Sequence, residues 1–152
     1  MCGRMLLSRL LYVSAAARAY DEDDLIALLR QSRQRNLEDN ITGLLLYGNE
    51  RFVQTIEGPP GAVDALRARL RRDTRHHSYR ELFLQEAKTR AYKDWSMAFR
   101  HVMPEEMLGF TPLGELLQAA DRGAATDLPN AAAIFDGFVR DRDARHGAVD
   151  SL

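Results

Sequence analysis

Residues 5 to 13 read MLLSRLLYV, a cluster of Leu and Val around Tyr12 with no 3.6-residue stripe continuing beyond it, and this predicts a central strand. Asp21 to Asp24 then supply acids and a capping side chain. Leu25, Leu28, Leu29 and Ser32 follow at i, i+3, i+4, i+7, so a helix is expected to run out near Asn36. Next come two strand-like runs, ITGLLLY (41–47) and RFVQTIE (51–57), separated by Gly48, Asn49 and Glu50 as a hairpin signal. Alternation in the second run puts Phe52, Gln54 and Ile56 on one face and Val53, Thr55 and Glu57 on the other. Gln54 is therefore the polar member of an otherwise apolar set.

Gly58, Pro59, Pro60 and Gly61 break the chain, and Val63, Leu66 and Leu70 mark a second amphipathic helix closing near Asp73. Its other faces carry Asp64, Arg67, Arg69, Arg71 and Arg72. Strands are predicted at Tyr79–Ala87 and Ser96–Val102, joined by a polar and aromatic connection that includes Tyr92 and Trp95. The order β-α-β-β-α-β-β is the pattern of a ferredoxin-like α+β sandwich with an extra strand. From Pro104 the composition changes. Leu113, Leu116 and Leu117 mark one helix and Ile134, Phe135, Phe138 and Val139 another, with Asp121 to Asn130 as the loop between them. The chain thus divides into a sandwich over residues 1–102 and a C-terminal helical appendage over residues 103–152, placed to cover the bare face of the sheet. The end from Asp143 to Leu152 is expected to fray.

At 152 residues one core is expected, and 45% hydrophobic with 28% charged residues excludes a wholly disordered chain. Ten Gly and five Pro exclude collagen-like and low-complexity classes. A formal net charge of −1 gives no bulk attraction to nucleic acid, and no direct binding to it is expected. The single cysteine, Cys2, forms no internal disulfide and fits a reducing, cytoplasmic setting. No apolar run approaches the ~20 residues of a membrane span. Ser8 and Arg9 split the stretch before Ala15–Ala17, which argues against a secretory signal.

Four polar residues occupy positions where a core prefers apolar ones: Tyr12, Ser32, Asn36 and Gln54. Each has a bland reading, since a buried Tyr can bond a backbone carbonyl and a strand Gln can meet solvent. Gln54 is the least bland. An unsatisfied amide in a core costs roughly 1–3 kcal/mol, so it implies a partner or a ligand. Arg69, Arg71, Arg72, Arg75, His76 and His77 can hold an anion through bidentate, charge-assisted bonds, or can simply form a solvated helix face. His76 and His77 are adjacent and point differently, while His101 and His146 are remote, so no metal site is expected. Phosphate-loop, nucleophile-elbow and His-Glu-x-x-His motifs are absent. Glu57 and Asp73 lack a recognisable acid-base partner.

Taken together, LLYVS around Tyr12, SRQRN ending at Asn36, NITGLLLY from Asn40, RFVQTIEG around Gln54, the DTRHH run from Asp73 and DWSM from Asp94 closely resemble the BLUF family of blue-light sensors that use FAD. The resemblance covers roughly residues 5 to 102. It implies a ferredoxin-like fold with the isoalloxazine ring held between the two helices over the sheet, and often a helical C-terminal cap. It implies Tyr12 as electron and proton donor, Gln54 as the switch, and Asn36 as the amide that bonds the polar edge of the ring. Arg75 looks like the residue facing the C2 carbonyl, with His76 beside the ring and Arg69 on the phosphate or ribityl chain. Ser32 and Ile41 are implied pocket-lining residues. Trp95 and Met97 fall at the family's variable pair on the last strand, one of which packs near Gln54. Arg35 stands where relatives often carry Asn or His. The implied cofactor is FAD, with FMN or riboflavin as other bound forms.

The chemistry implied for this set is a switch. A tyrosine with a pKa of about 10 is neutral at pH 7, and on oxidation its proton becomes strongly acidic and must leave along a hydrogen bond. Gln54 relays it by rotating or tautomerising, which strengthens bonding to the flavin C4 carbonyl and shifts the absorption band red. Strain is then passed through Trp95 or Met97 and the last strand to the C-terminal helices. Some fifty residues beyond position 102 cannot hold a cyclase or phosphodiesterase, so a short stand-alone sensor and not an enzyme is expected. It would signal to an unknown protein partner or through a homodimer. Two alternatives remain: a flavin-free interaction module of the same fold, and a small acylphosphatase-like hydrolase. The second is disfavoured because the loop after the first strand, SAAARAYDED, has no glycine and an acidic end.

Overall fold

Five strands form one sheet in the computed structural model, which describes residues 6–93, 96–122 and 130–146. Trp95, Cys2, positions 123–129 of the loop and the end from 147 lie outside the described residues. β1 (Leu7–Ala16) is an interior strand, one in from the edge, and pairs antiparallel with both β3 (Arg51–Gly58), which is central, and β4 (His76–Ala87). β2 (Thr42–Gly48) pairs antiparallel with β3 and parallel with β5 (Ala98–His101). The order β4-β1-β3-β2-β5 is the expected ferredoxin-like sheet with the extra strand added beside β2.

α1 (Glu22–Glu38) follows β1, and α2 (Pro60–Arg72) follows β3. The predicted start of α1 is realised as a reciprocal cap: Asp24 N donates to the Asp21 carboxylate at 2.8 Å, and Asp21 N donates back to Asp24 at 3.1 Å. Arg18 also bonds Asp24, and that bond, with the cap, lowers the Asp24 carboxyl to about 2. α2 opens on Pro60, whose missing N–H is no loss in a first turn.

Element ends depart from the pattern where pairing decides them. β1 runs on to Ala16, and β4 begins at His76 rather than Tyr79, because Ala15 and Ala16 pair with His77 and His76. β5 keeps only four of the seven predicted residues, those that meet Leu44 to Tyr47. The hairpin is tighter than the three-residue signal: Asn49 and Glu50 both take positive φ (52° and 57°), and Gly48 pairs with Arg51. Two such residues match the twist of the flanking strands. Gly43 is required by space, since a Cβ there would stand 2.1 Å from the Thr55 carbonyl oxygen.

The two faces of the sheet are built differently. On one, Leu11, Val13, Leu44, Leu46, Val53 and Phe83 share a single cluster with residues of α4 (Thr111–Asp121) and α5 (Ala131–His146). The expected cap is therefore present, entered through a short α3 (Pro104–Gly109) that the pattern did not single out. The cap also carries charge. Arg9 on β1 forms a bidentate pair with Asp136 on α5, and Arg100 on β5, 2% exposed, pairs with Asp143. Glu57, equally buried, accepts from the backbone N–H groups of Ala91 and Tyr92, so this polar member of β3 anchors the β4–β5 connection.

On the other face the apolar residues fall into two clusters. Leu25 and Leu29 of α1 pack with Leu45, Tyr47, Phe52, Met97 and Phe99. Val63 of α2 packs with Leu10, Tyr12, Ile41 and Ile56. The helices do not close on each other between these clusters.

Candidate functional site

The gap between the two clusters is a cleft of about 720 Å³, open at its mouth. Leu28 of α1, Leu66 and Leu70 of α2, and Leu45 and Phe52 of the sheet give it apolar walls. The polar lining includes Tyr12, Ser32, Asn36, Gln54, Arg69, Arg75 and His76, seven of the eight residues expected to hold a cofactor. The eighth, Ile41, does not line the cleft. It is 1% exposed in the α2-side cluster behind it, where it packs with Tyr12 and Ile56.

Tyr12 and Gln54 are directly opposed across β1 and β3, both on the helix face. The Tyr12 hydroxyl donates to Gln54 Oε1 at 2.5 Å, and Gln54 Nε2 donates to Met97 Sδ at 3.2 Å. This amide orientation is internally consistent, because a thioether sulfur accepts and cannot donate. Burial pushes the Tyr12 phenol well above its ordinary value; the Asp73 carboxylate adds to this and Arg75 opposes it. Tyr12 is therefore a neutral donor at any physiological pH. Met97, 1% exposed, sits behind Gln54 rather than on the cleft wall.

α1 holds the chain leading into β5. Asn36 Nδ2 donates to the Ser96 carbonyl at 2.8 Å, and Arg33 Nε donates to the Met97 carbonyl at 2.8 Å. The second N–H of Asn36 and its Oδ1 remain for the cleft. Arg33 has no distinguishing sequence signal, since its contact is with a backbone 64 positions away.

His76 is engaged at both nitrogens, with Nε2 2.6 Å from the Leu70 carbonyl and Nδ1 2.7 Å from Ser14 Oγ. A carbonyl only accepts, so Nε2 carries a proton, and His76 offers the cleft its ring rather than a free hydrogen-bonding atom. At the mouth, Arg75 is oriented by Asp73 and by Gln31 Oε1 at 2.9 Å. Its guanidinium holds the Asp73 carboxyl below the usual range, against the opposing effect of burial. Arg69 reaches Asp39 at 3.5 Å, yet its buried Nε and Nη2 make no hydrogen bond. Arg35 lines the same mouth. Pattern reading did not anticipate Tyr20, Leu28 and Leu66 as lining residues; they lie at helical spacings indistinguishable from ordinary core.

The chemistry of this lining fits a flavin: a flat apolar slot for a ring, amides at one end for an edge of alternating donors and acceptors, and guanidinium groups at the mouth for a phosphorylated tail. The buried Nε–H of Arg69, which has no partner, is the clearest sign that a further polar or anionic group belongs at this mouth. Among the described residues no group of three or more His, Cys, Asp and Glu side chains converges, and no helix is long and apolar enough to cross a membrane.

Residues 7–98 match the family described as BLUF, sensors of blue-light using FAD. The photoactivated adenylate cyclase subunit beta of Euglena gracilis is 38% identical over 117 residues, 76% of this chain. This chain spans about an eighth of that protein, the match covering 13% of its length. Among solved structures, the dark state of the BLUF protein BlrB superposes with a TM-score of 0.70 at 33% identity, covering 92% of this chain and 99% of the other. Klebsiella pneumoniae BlrP1, solved with FMN and cyclic diGMP, is 25% identical with a TM-score of 0.61 over 90% of this chain and 35% of its own.

Proposed function

The chain belongs to the BLUF family, a family of flavin-binding sensors rather than of enzymes, and from that premise we propose that it is a blue-light photoreceptor in which Tyr12 and Gln54 form the switch. The supporting observation is the continuous donor chain from Tyr12 and Gln54 on the floor of the cleft to Met97 behind it. When bound, the flavin supplies blue-light absorption and, once excited, a one-electron oxidant. The remaining chemistry belongs to the protein.

Tyr12 gives up an electron, and its phenolic proton, now strongly acidic, has one bonded acceptor in the cleft, Gln54 Oε1. Gln54 answers by exchanging donor and acceptor, through rotation or tautomerisation. Rotation removes the donor from Met97 Sδ, while tautomerisation leaves Nε2 a single N–H, so by rotation the switch cannot complete without altering a contact of the segment entering β5. Asn36 and Arg33 hold the backbone of that segment, and Arg100 on the same strand holds α5. The output path we propose runs from Gln54 through Met97 and β5 to the helices, with residues 1–102 as sensor and 103–152 as output segment. Trp95 belongs to the same segment as the second member of the variable pair.

Asn36 binds the polar edge of the ring, Arg75 faces its C2 carbonyl, His76 and Ser32 lie beside it, Ile41 supports the slot from behind, and Arg69 takes the tail. The unpartnered Nε–H of Arg69 favours a phosphorylated flavin, FAD or FMN, over riboflavin. We further propose a cytoplasmic sensor that acts through a homodimer or a separate protein partner. The test is the visible spectrum of purified protein in darkness, after blue light and during recovery. A flavin band that shifts slightly red and returns is expected; bound flavin with no shift removes Tyr12 and Gln54 as a switch, and failure to bind added flavin leaves an interaction module.

A further inference from the structure

Tyr79 and Glu81 on β4 stand beside the switch, and nothing in the switch requires them. A β-bulge puts them there. The register slips between Leu11, opposite Phe83, and Tyr12, opposite Glu81, so that Leu82 joins the cap-side core. Tyr79 and Glu81 thereby share the face of Tyr12. The rings of Tyr12 and Tyr79 have centroids 4.9 Å apart with planes inclined by 38°.

The phenols differ in what accepts their protons. Tyr12 donates to an amide oxygen. Tyr79 donates to Glu81 Oε2 at 2.8 Å, and Glu81 is gripped by both arms of Arg67 at 2.7 and 2.8 Å, with Arg71 at 3.3 Å. Burial alone would raise the Glu81 carboxyl, but the bonds from Arg67 and Tyr79 outweigh it and keep it below its ordinary value. An oxidised phenol is a strong acid, so oxidation is easiest where a basic acceptor is already bonded. An ionised carboxylate is a far stronger base than an amide oxygen.

We infer that Tyr79 is a second redox-active tyrosine, which reduces oxidised Tyr12 while its own proton passes to Glu81. This rests on the proposed role of Tyr12 as electron donor to the light-excited flavin. In the step, Tyr79 loses one electron and one proton and becomes a neutral phenoxyl radical. The Tyr12 radical cation gains that electron and returns to the neutral phenol, its O–H still on Gln54. The O–H bond of Tyr79 breaks and an O–H bond forms on Glu81; the electron held by the reduced flavin then returns to Tyr79 while Glu81 gives the proton back, which restores the start without a red-shifted state. Because Tyr12 keeps its proton, this branch competes with proton transfer to Gln54 and limits how much absorbed light reaches the red-shifted state.

The experiment uses the full flavin-loaded chain under blue light. Time-resolved EPR reads the tyrosyl radical, and absorption reads the yield of the red-shifted state. Wild type is expected to show both. Tyr79→Phe, which keeps the ring packing, should lose the radical at position 79 and gain yield; Glu81→Gln should weaken the radical and also gain yield. A red shift in wild type with no radical lost in Tyr79→Phe, or with yield unchanged in both variants, overturns the inference and leaves Tyr12 as donor. Bound flavin with no red shift in wild type overturns the Tyr12 reading, and this inference with it.

Discussion

The Gln54 amide nitrogen donates to the sulfur of Met97 at 3.2 Å, a bond that ties the proposed switch on β3 to the chain entering the sheet's last strand. It is weaker than a bond to oxygen, so it holds the amide in one orientation without making reorientation costly. Met97→Leu keeps the packing volume and removes the acceptor. The red shift should persist, while dark recovery changes in rate, as followed by absorption after a blue pulse.

Tyr12→Phe should retain flavin and lose the red shift, because no electron and proton donor remains on Gln54. Gln54→Leu should lose the shift as well, with the Tyr12 hydroxyl left unpaired in a buried site at about 1–3 kcal/mol of stability. Urea unfolding and the light–dark difference spectrum separate the two effects. A full photocycle in either variant would count against the assignment.

Gly43→Ala tests the sheet beneath the site. The new Cβ would lie 2.1 Å from the Thr55 carbonyl oxygen, a backbone atom that moves only if β2 separates from β3. A loss on the order of 2–4 kcal/mol is expected in urea unfolding, with weakened flavin retention, since Gln54 and Leu45 face each other across that pair.

Glu81 predicts a pH dependence. Its folded pKa lies below the ordinary 4.5, so its contribution to stability is full above the unfolded value and is lost as pH falls through the folded one. Glu81→Gln should therefore flatten the decline in stability below about pH 4.5 while changing its slope little near neutrality. Thermal melts across an acid series read this directly; equal slopes in both proteins would contradict it.

Asp143→Ala withdraws the carboxylate that pairs with Arg100, a guanidinium 2% exposed beneath the cap. A cost of about 2–3 kcal/mol is expected, concentrated as faster hydrogen exchange in α5 rather than in β1 or β3.

Period-two alternation placed Tyr12, Gln54, Phe52 and Ile56 correctly, because a strand's faces are set by local geometry wherever the chain is extended. Apolar spacing located both helices over the sheet and the cap behind it for a similar reason: each stripe needs a partner surface. The order of residues in the segments around Tyr12, Asn36 and Gln54 carried the resemblance to the family that the match over residues 7–98 shows. Strand ends, the bulge at Leu82 and the short β5 were not legible, since a strand stops where its neighbour stops and a bulge exists only in a pair.

What the amino-acid order determined by itself is which side chains belong to which face, and hence which polar residues had to be explained. Only the tertiary structure decided which of them meet. The direction of the Gln54 amide depends on Met97, which lies 43 positions on. The hold of Arg33 on the Met97 carbonyl and the approach of Tyr79 to Tyr12 are likewise contacts between segments far apart in sequence. Hydrogen bonds and ring contacts act over a few ångströms of space, and no local pattern records which distant segments the folded chain brings within that range.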